Sequence, residues 1–223
     1  DNENAYKAIQ SNAIFTNVGL TDNNEPWWEG KKDGNPTIDW KGEEISADEG
    51  VFAHPNSRFT ISAKNNPKYS NLADSPSGVP ICAIVFGGRR SELAPLVYES
   101  KDWKHGVLVG ASVGSETTAA ATGEVGIVRR DPMAMKPFCG YNFADYWSHW
   151  LSFSEQSERL PKIFHVNWFR KNEKGFIWPG FGDNLRVLEW IIKRCQNKIE
   201  ALETPIGFLP NINDIDTKGL AIT

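Results

Sequence analysis

Short apolar runs alternate with turn-forming residues over most of the chain. Residues 1–60 carry brief alternating runs, among them 13–18 and 37–40, which are interrupted by Asn-Asn, Asp-Gly and Pro and predict short strands joined by loops. Denser apolar runs of strand length follow, several ending in Gly or a charged residue, and predict a well-buried mixed sheet. These denser runs are 79–86, 95–99, 106–111 and 163–168.

The clearest predicted helix spans residues 183–202. Asp183 or Asn184 is expected to be its N-cap, and Thr204 and Pro205 are expected to end it. Apolar residues recur at helical spacing and predict one buried face. The predicted face consists of Leu185, Leu188, Ile191, Ile192, Cys195 and Ile199.

A second helix and a loop complete the predicted architecture. Residues 141–153 carry aromatic side chains at roughly helical spacing, which predicts a short helix packed through Trp147 and Trp150. The polar stretch 61–78, rich in Pro and Gly, is expected to be an ordered surface loop. The predicted fold is therefore mixed α/β, with a β-rich N-terminal section at 1–60 and a mixed sheet flanked by helices at 79–210.

The composition is that of a globular protein, either one domain or one lobe of a larger one. Of the 223 residues, 23% are charged and 40% are hydrophobic, which is unlike a disordered chain. The formal net charge of -4 and the pI near 5.6 argue against nucleic acid as a partner, because such binding needs a basic face. Any phosphate binding is therefore expected to be local.

Cysteine usage and the termini predict a cytoplasmic fragment without a membrane partner. Cys82, Cys139 and Cys195 are widely spaced with no CxxC pair, which favours neither a disulfide framework nor a zinc site and fits a reducing compartment. No apolar run approaches the ~20 residues of a membrane span, and the N-terminus has no signal-peptide core. Because the chain begins at Asp1 without Met and stops at Thr223 after an ordinary loop, we expect a fragment.

Two arginine motifs are candidates for anion binding. Arg58 lies in HPNSRF, where its guanidinium can hold phosphate or carboxylate oxygens in a bidentate way and Asn56 can add a hydrogen bond. Arg89 and Arg90 follow two glycines at the end of an apolar run, where ligands of open α/β sheets bind. Taken alone, the first motif is more often a surface or structural ion pair, and the second is equally typical of a tight turn with solvated arginines.

Two further segments have the composition of a ligand site. Residues 110–126 bracket small side chains with glycines, which suits a loop that closes over a site and also an inert flexible loop. The aromatic segments 167–170 and 176–184 can sandwich a nucleobase, worth roughly 1–3 kcal/mol per base, with Asn184 at its edge. The alternative is an ordinary aromatic core in which Asn184 caps its helix. The Pro-Gly pair within the second segment favours a pocket.

Several catalytic motifs are absent from the sequence. There is no GxxxxGK[ST] phosphate loop, so a self-contained NTPase is not predicted. The four histidines show no HExxH or other metal spacing, and no GxSxG elbow occurs. The motifs are therefore compatible with holding a nucleotide but not with catalysing the transfer of its phosphate.

Taken in order, the motifs of this chain resemble the GTP-dependent phosphoenolpyruvate carboxykinases. The resemblance runs from Asn4-Ala5 to 204–210, nearly the whole chain, and it implies the family's C-terminal nucleotide-binding lobe. It also implies a lyase of gluconeogenesis, a decarboxylating kinase that converts oxaloacetate and GTP to phosphoenolpyruvate, carbon dioxide and GDP. The motifs are HPNSRF, VPICAIVFGGRR, PLVYES, WKHGVLVGAS, SETTAAA, DPMAMKPFCGYNF, LPKIFHVNWFR and WPGFGDNLRVLEW.

The resemblance assigns roles to substrate and phosphate residues. It implies that Asn56, Ser57 and Arg58 contact phosphoenolpyruvate or the transferring phosphoryl group. It also implies that Arg58 and Arg89 contact the nucleotide phosphates. Such cations stabilise the charge that spreads over the phosphoryl oxygens during transfer. Residues 113–126 correspond to a mobile lid that keeps water from the enolate intermediate. Its catalytic residues are expected to be Ser115, Glu116 and Thr117.

The resemblance also implies a guanine pocket. Phenyl rings are expected to enclose the base, Trp168 to support them, and the segment before the long helix to read the base edge. We further expect Arg58 and Arg89 to face one cavity. The pocket residues are Trp168, Phe169, Phe176, Phe181, Gly182, Asp183 and Asn184.

The implied cofactor is Mn²⁺ or Mg²⁺, and its ligands, like the family's phosphate loop, are expected N-terminal to this chain. No metal ligand is therefore expected here, and the isolated chain is predicted to have no turnover. The expected ligands are GTP or GDP and phosphoenolpyruvate or oxaloacetate. The parent is expected to be monomeric and cytoplasmic, with a mitochondrial location left open.

One departure from the family pattern lies in the lid. Where the family usually reads Met-Arg-Ser-Glu, this chain reads VGSE, and TGEVG stands where Glu-His-Lys-Gly-Lys is usual. An Arg, a His and two Lys are thereby lost, so weaker closure is predicted. Two alternatives stay open: a catalytically impaired paralogue acting as a guanine-nucleotide-binding or regulatory module, and a structural domain without a ligand.

Overall fold

A computed structural model describes residues 3–46, 50–118 and 124–222, with the side chains of residues 3 and 4 left out. The chain divides into two compact units, a first unit of residues 1–79 and a second unit of residues 80–223. No helix in the described part of the chain is both long and apolar enough to cross a membrane.

The first unit is built mainly from short antiparallel strands. Strand β2 lies between β3 and β4, while β1 pairs with β5 so that Phe15 is opposite Phe59 and Thr16 is opposite Arg58. The predicted strands at 13–18 and 37–40 are therefore present, although each is shorter than predicted. The described elements of this unit are α1 (Glu3–Ala8), β1 (Ala13–Thr16), β2 (Gly19–Thr21), β3 (Pro26–Trp27), β4 (Pro36–Ile38) and β5 (Arg58–Ile61).

Within the same unit, residues 61–78 follow the prediction of an ordered loop. Two single turns of 3₁₀ helix, Ala63–Asn65 and Asn71–Asp74, give it regular backbone. Ser62 and Ser70 each accept a hydrogen bond from the backbone N–H two residues later, which caps these turns.

The second unit contains a mixed sheet. Among the described residues its strand order is β13-β14-β7-β10-β6, in which β10 and β6 are parallel and the other pairs are antiparallel. The elements are β6 (Ala83–Gly87), β7 (Val97–Glu99), α2 (Trp103–Ala111), β8 (Gly114–Glu116), β9 (Val128–Arg130), α3 (Phe143–Gln156), β10 (Lys162–Val166), β11 (Lys171–Asn172), β12 (Gly175–Phe176), α4 (Asn184–Cys195), β13 (Leu202–Thr204) and β14 (Gly207–Leu209).

Helices cover both faces of this sheet. Successive residues of a strand point to opposite faces, so Ile163 and Phe164 of β10 belong to different apolar clusters. On one face Phe164 packs edge-to-face against Trp190 of α4, with ring centroids 6.0 Å apart. On the other, Ile163 packs with Val107 of α2. The predicted mixed α/β class is confirmed, and three of the four dense apolar runs are strands.

The prediction of a strand for the fourth run, 106–111, is wrong, because this run lies in helix α2. Asp102 caps this helix by accepting a hydrogen bond from the His105 N–H at 2.7 Å. Glycines at 106 and 110, one helical turn apart, let the helix approach the sheet closely. A Cβ at 106 would lie 2.5 Å from Ile163 Cδ1, and one at 110 would lie 2.6 Å from Phe86 Cε2. Periodicity cannot separate a short buried strand from such a buried helix.

Helix α3 confirms the prediction at 141–153, with bounds shifted to Phe143–Gln156. Asn142 caps it, because its side-chain oxygen accepts the Ala144 N–H at 2.8 Å. Trp147 and Trp150 are half-buried and pack against the cluster of α2 and β10, as expected.

Helix α4 ends at Cys195, seven residues before its predicted end. Asn197 adopts a left-handed φ of 52°, its N–H donates to the Arg194 carbonyl, and the Lys198 N–H donates to the Lys193 carbonyl at 2.8 Å. This arrangement is a Schellman motif, in which a residue with positive φ ends a helix. Asn197 is therefore the stop signal, and Thr204 instead lies in β13.

The buried face of α4 also differs from the prediction. Leu185, Leu188 and Ile192 are 70%, 39% and 52% exposed in this chain, whereas Trp190 and Val187 are fully buried. Trp190 is the largest apolar side chain of the helix, and its packing on Phe164 sets the rotation of α4 about its axis. The predicted face omitted this tryptophan.

Candidate functional site

Asn56, Ser57 and Arg58 form a braced turn at the start of β5 in the first unit. Arg58 Nε donates to Asn56 Oδ1 at 3.0 Å, and the Asn56 N–H donates to His54 Nδ1 at 2.9 Å. The Asn17 side chain donates to the Asn56 carbonyl at 3.2 Å. The Arg58 guanidinium is therefore oriented by neighbours while it stays exposed, as an anion-binding arginine requires.

A cavity of about 600 Å³ opens in the first unit beside that turn. Ser57 and Arg58 line it together with Phe15 and Trp28, whose rings are stacked with centroids 5.8 Å apart. Lys31 Nζ lies 5.7 Å from the Trp28 ring centroid. Sequence reasoning missed this aromatic wall, for which the motif WWEGKK was the available signal. The other charged residues of the lining are Lys32, Glu29 and Asp33, so three cations and two carboxylates surround the cavity, and an anion would be bound by the cations and not by the negative faces of the rings.

The arginine segment, residues 88–91, follows the carboxyl end of β6 in the second unit. Its parallel neighbour β10 ends at the same edge, with Gly87 opposite Val166. Ligands of open α/β sheets bind at this edge. Arg89 Nε donates to the Glu116 carbonyl at 3.2 Å, and in the described part of the chain no hydrogen bond engages its terminal nitrogens. That end of the guanidinium is thus available to an anion.

Asn167 joins the two strand ends. Its Oδ1 accepts the N–H groups of Arg90 and Phe169, each at 3.2 Å. Its Nδ2 donates to the carbonyls of Arg90 and Ala94 at 2.9 and 3.1 Å. The side chain is 1% exposed, so its amide serves four backbone groups that would otherwise be buried without partners. The arginine segment and the aromatic residues after β10 are consequently held side by side.

Ser115 and Glu116, predicted lid residues, lie in β8 and attach to the arginine segment. Ser115 Oγ accepts the Arg89 N–H at 3.1 Å, and the Glu116 N–H donates to the Arg89 carbonyl at 2.8 Å. Glu116 Oε1 also accepts both the N–H and the hydroxyl of Ser91 at 2.6 Å. Burial raises the pKa of Glu116, but the bonds from Ser91 and the charges of Lys171 and Arg90 outweigh it and lower the pKa below its ordinary value. The carboxylate is therefore held ionised.

Thr117 joins the two ends of the predicted lid by hydrogen bonds to residues 124–127. Its N–H donates to the Ile127 carbonyl at 2.9 Å, and the Gly126 N–H donates to its carbonyl at 3.0 Å. Its hydroxyl donates to the Glu124 carbonyl at 2.5 Å. Next to these bonds, strands β8 and β9 pair in antiparallel fashion. The part of the predicted lid at 119–123 lies outside the described residues.

Phe169 and Phe176 come together beside the arginine segment. Their rings meet edge-to-face, with centroids 6.0 Å apart and planes at 76°. Phe176 belongs to the aromatic hairpin, strands β11 and β12, and Lys171 Nζ lies 4.9 Å from its ring centroid. The rings are 36% and 59% exposed. Aromatic side chains left this open on a strand-end surface are typical of a stacking platform rather than a core.

The predicted base-edge residues take up a turn before α4. Phe181 is 73% exposed, and within the described part of the chain its ring contacts no other aromatic ring. Asn184 Oδ1 accepts the indole N–H of Trp178 at 2.8 Å, and Asp183 Oδ1 accepts from Arg186 Nε at 2.9 Å. Asp183 is the N-cap of α4, as predicted, although its side chain makes no capping hydrogen bond. Gly182 lies between these residues in a 3₁₀ turn.

Trp168 supports this surface from below. It is half-buried and packs on Trp178, with ring centroids 6.4 Å apart, against the core under α4. Trp178 in turn holds Asn184. The base-edge turn and the aromatic residues are thus tied to one packed layer.

Sequence reasoning gave no role to three residues of this site, Ser91, Asn167 and Lys171. Asn167 interrupts an apolar run, and a polar residue in such a run signals a buried hydrogen-bond network. No local sequence pattern marks Ser91 or Lys171, since their hydrogen-bond partners lie 25 or more residues away in the chain or depend on strand pairing. Arg58 belongs to the first unit and Arg89 to the second, so the expectation that they face one cavity stays a prediction.

The described residues do not fit a metal site. Among them, no group of three or more His, Cys, Asp and Glu side chains could hold a metal ion. No step that needs Mn²⁺ or Mg²⁺ is therefore assigned to side chains of this part of the chain.

Comparison with known proteins places the chain in a family. The family model described as "Phosphoenolpyruvate carboxykinase C-terminal P-loop domain" matches residues 1–223. Proteins named phosphoenolpyruvate carboxykinase [GTP] from Chlamydia muridarum and Thermoplasma volcanium are 53% and 51% identical over 100% and 98% of this chain. One from Anaeromyxobacter dehalogenans is 51% identical over all of it.

The chain spans 38–39% of the length of these curated relatives. The match to the family model nevertheless extends over every residue of the sequence. The chain therefore belongs to the family of GTP-dependent phosphoenolpyruvate carboxykinases.

Proposed function

We propose that this chain binds a guanine nucleotide on its second unit, with the base at the aromatic hairpin and the phosphates at Arg89. The observation that carries the proposal is the bridge made by Asn167, whose Oδ1 accepts the N–H groups of Arg90 and Phe169. One buried side chain thereby sets a cationic segment next to an aromatic one at the carboxyl ends of two parallel strands.

The chemistry of each part matches a purine nucleotide. Exposed rings of Phe169 and Phe176 offer faces and edges for stacking on a planar base. The free end of the Arg89 guanidinium offers N–H donors to phosphate oxygens. Asn184, held by Trp178, supplies an amide near the turn where the edge of guanine is expected. Phe181, Gly182 and Asp183 complete the proposed pocket.

We further propose that the chain contributes to the reaction of this family, the conversion of oxaloacetate and GTP to phosphoenolpyruvate, carbon dioxide and GDP. In this proposal Asn56, Ser57 and Arg58 contact phosphoenolpyruvate or the phosphoryl group in transfer. Their cationic and amide groups stabilise charge on the phosphoryl oxygens. Among the described residues no group of three or more His, Cys, Asp and Glu side chains could hold the divalent metal of such a reaction, and we propose no turnover for the chain alone.

Nucleotide titration tests the proposal. GDP, GTP and ATP would each be added to the chain while its intrinsic tryptophan fluorescence is followed, since Trp168 and Trp178 underlie the proposed base site. We expect saturable changes with GDP and GTP and binding of ATP weaker by about tenfold or more. Phe176→Ala is expected to weaken GDP binding by roughly 5- to 150-fold, the equivalent of about 1–3 kcal/mol of base stacking.

Phe138→Ala is the matched control, because Phe138 is also an exposed phenylalanine of the second unit, 73% exposed. It is expected to leave the affinity for GDP unchanged. A chain whose fluorescence and calorimetric heat do not respond to either guanine nucleotide would contradict the proposal and favour a structural domain without a ligand.

A second candidate function is suggested by Gly114, in strand β8 at the start of the predicted lid. Gly114 stands where the family usually has Arg, and a Cβ there would lie 3.4 Å from Arg90 Nη1. The Arg90 guanidinium therefore lies at ordinary van der Waals distance from the first atom of a side chain at 114, where the arginine usual in the family is missing. We propose as the alternative a catalytically impaired member that retains guanine-nucleotide binding for a regulatory purpose. A form that carries the remaining family segments, binds GTP and shows no decarboxylation would support this alternative.

A further inference from the structure

We propose that Glu116 is a positioning residue that, through Ser91, fastens the loop stem (β8 and β9) to both the arginine segment and the aromatic hairpin. Nucleotide binding and ordering of the loop stem are then coupled. The coupling to nucleotide rests on the proposed function, whereas the fastening itself does not.

The first link joins the loop stem to the arginine segment by a short ladder. Arg89 exchanges two bonds with Glu116, one from its Nε to the Glu116 carbonyl and one from the Glu116 N–H to its own carbonyl. Its N–H also donates to Ser115 Oγ. The guanidinium proposed to meet phosphate is thus oriented by the backbone of the loop stem. A phosphate bound to Arg89 would therefore stabilise both segments together.

The second link runs through the Glu116 carboxylate. Glu116 Oε1 lies 2.6 Å from both the N–H and the hydroxyl of Ser91, the short distances typical of charge-assisted hydrogen bonds. The Ser91 carbonyl in turn accepts the Lys171 N–H at 2.9 Å. Since Lys171 pairs with Phe176 in the aromatic hairpin, a single serine connects the loop stem to the proposed base site.

The close packing of the backbones leaves little room for independent movement. A Cβ at Gly88 would lie 2.6 Å from the Gly114 carbonyl oxygen, so the arginine segment and β8 are in direct contact. Ser115 is 4% exposed. Loss of the Glu116 carboxylate would remove the acceptor for two Ser91 donors while leaving the backbone ladder in place. The expected result is loosening of all three segments rather than unfolding.

Amide hydrogen exchange on the 223-residue chain tests the fastening without any ligand. Glu116→Ala is expected to raise exchange about tenfold or more at 89–91, 114–117 and 171–172 together, because these segments share the Ser91 node. Glu116→Gln keeps an acceptor oxygen for the Ser91 N–H, and Ser91→Ala keeps the Ser91 N–H donor, so each is expected to give an intermediate effect. Glu155→Ala, at an exposed acid of α3, is the matched control and is expected to change none of the three.

The coupling is tested by repeating the exchange with GDP and by measuring its dissociation constant. We expect GDP to protect 114–117 in the wild-type chain, and Glu116→Ala to abolish that protection and raise the dissociation constant by about tenfold. Exchange in Glu116→Ala that rises only at 114–117, with 89–91 unchanged, overturns the fastening. Wild-type binding of GDP that is retained in full by Glu116→Ala overturns the coupling alone. If the wild-type chain does not bind GDP, the proposed function fails, and the ligand-free exchange still decides the fastening.

Discussion

Asn167 and Arg90 hold each other through a closed pair of hydrogen bonds. The Arg90 N–H donates to Asn167 Oδ1 at 3.2 Å, and Asn167 Nδ2 donates to the Arg90 carbonyl at 2.9 Å. An amide side chain has the donor and acceptor spacing of a backbone peptide, so Asn167 acts as an extra strand residue beyond the end of β10. The two residues are 77 positions apart in the chain, and their pairing places the cationic segment at the proposed nucleotide site.

Asn167→Ala is expected to destabilise the chain by about 3 kcal/mol. The substitution leaves four buried backbone groups without partners, and each lost hydrogen bond costs about 1 kcal/mol or somewhat less where water can enter. Urea unfolding followed by tryptophan fluorescence measures the change. Asn172→Ala, which removes one exposed side-chain bond to Lys174, is the matched control and is expected to cost under about 0.5 kcal/mol. Equal midpoints for the two variants would refute the assigned role.

Gly88→Ala is expected to destabilise the chain by roughly 1–3 kcal/mol, the usual cost of overpacking. Its Cβ would lie 2.6 Å from the Gly114 carbonyl oxygen and 3.2 Å from Val113 Cγ1, so a backbone, and not a flexible side chain, must move. Gly140→Ala is the control, because no heavy atom lies within 4 Å of a Cβ there. Chemical denaturation of both variants distinguishes them, and a neutral Gly88→Ala would contradict the close approach.

Glu99→Gln is expected to destabilise the chain by about 3 kcal/mol. The Glu99 carboxylate, with its side chain 5% exposed, accepts from Lys162 Nζ at 2.7 Å and from Arg194 Nε at 2.5 Å. Neutralising it leaves two cations without their counter-charge, and breaking a buried pair from one side costs about 3–5 kcal/mol. We expect the lower end because Lys162 retains 32% exposure.

Glu203→Gln provides the comparison for Glu99→Gln in the same denaturation assay. Its partner Lys101 lies 3.3 Å away, but the two side chains are 68% and 38% exposed. Exposed pairs of this kind contribute about 0–1 kcal/mol. A loss for Glu99→Gln no larger than that for Glu203→Gln would show that the buried network does not attach α4 to the sheet.

Stability is expected to fall by about 2 kcal/mol between about pH 8 and about pH 5 because of His165. Burial, with a smaller contribution from the Arg90 charge, lowers the pKa of His165 from 6.5 to about 4. The unfolded chain takes up a proton near pH 6.5 while the folded chain stays neutral at this residue. Acidification therefore favours the unfolded state until the pH falls below about 4, where His165 is protonated in the folded chain as well.

His165→Phe is the variant that isolates this effect. A phenyl ring can keep the contact with Tyr98, whose ring centroid lies 5.2 Å from that of His165, and it removes the buried Nδ1, which has no partner among the described residues. Between about pH 8 and about pH 5, the free energy of unfolding of the variant is expected to fall by about 2 kcal/mol less than that of the wild-type chain. Parallel stability curves for the two proteins would show that His165 does not titrate as described.

Local sequence patterns predicted much of the second unit because they report properties of single elements. Aromatic spacing predicted α3, and apolar runs predicted β6, β7 and β10. The run 106–111 was predicted wrongly since glycine spacing on a buried helix gives the same apolar run as a strand. The end of α4 was missed because Asn197 acts through its left-handed backbone and not through hydrophobicity.

The sequence by itself determined the family, through colinear motifs that identify HPNSRF, GGRR and WPGFGDN as site candidates. Only the tertiary structure decided that Ser91 meets Glu116, that Asn167 joins Arg90 to Phe169, and that Trp190 turns α4 toward the sheet. The physical reason is the range of the interactions. Periodicity and capping arise between residues a few positions apart, whereas these contacts arise when parallel strands and their covering helices bring distant residues within hydrogen-bonding or packing distance.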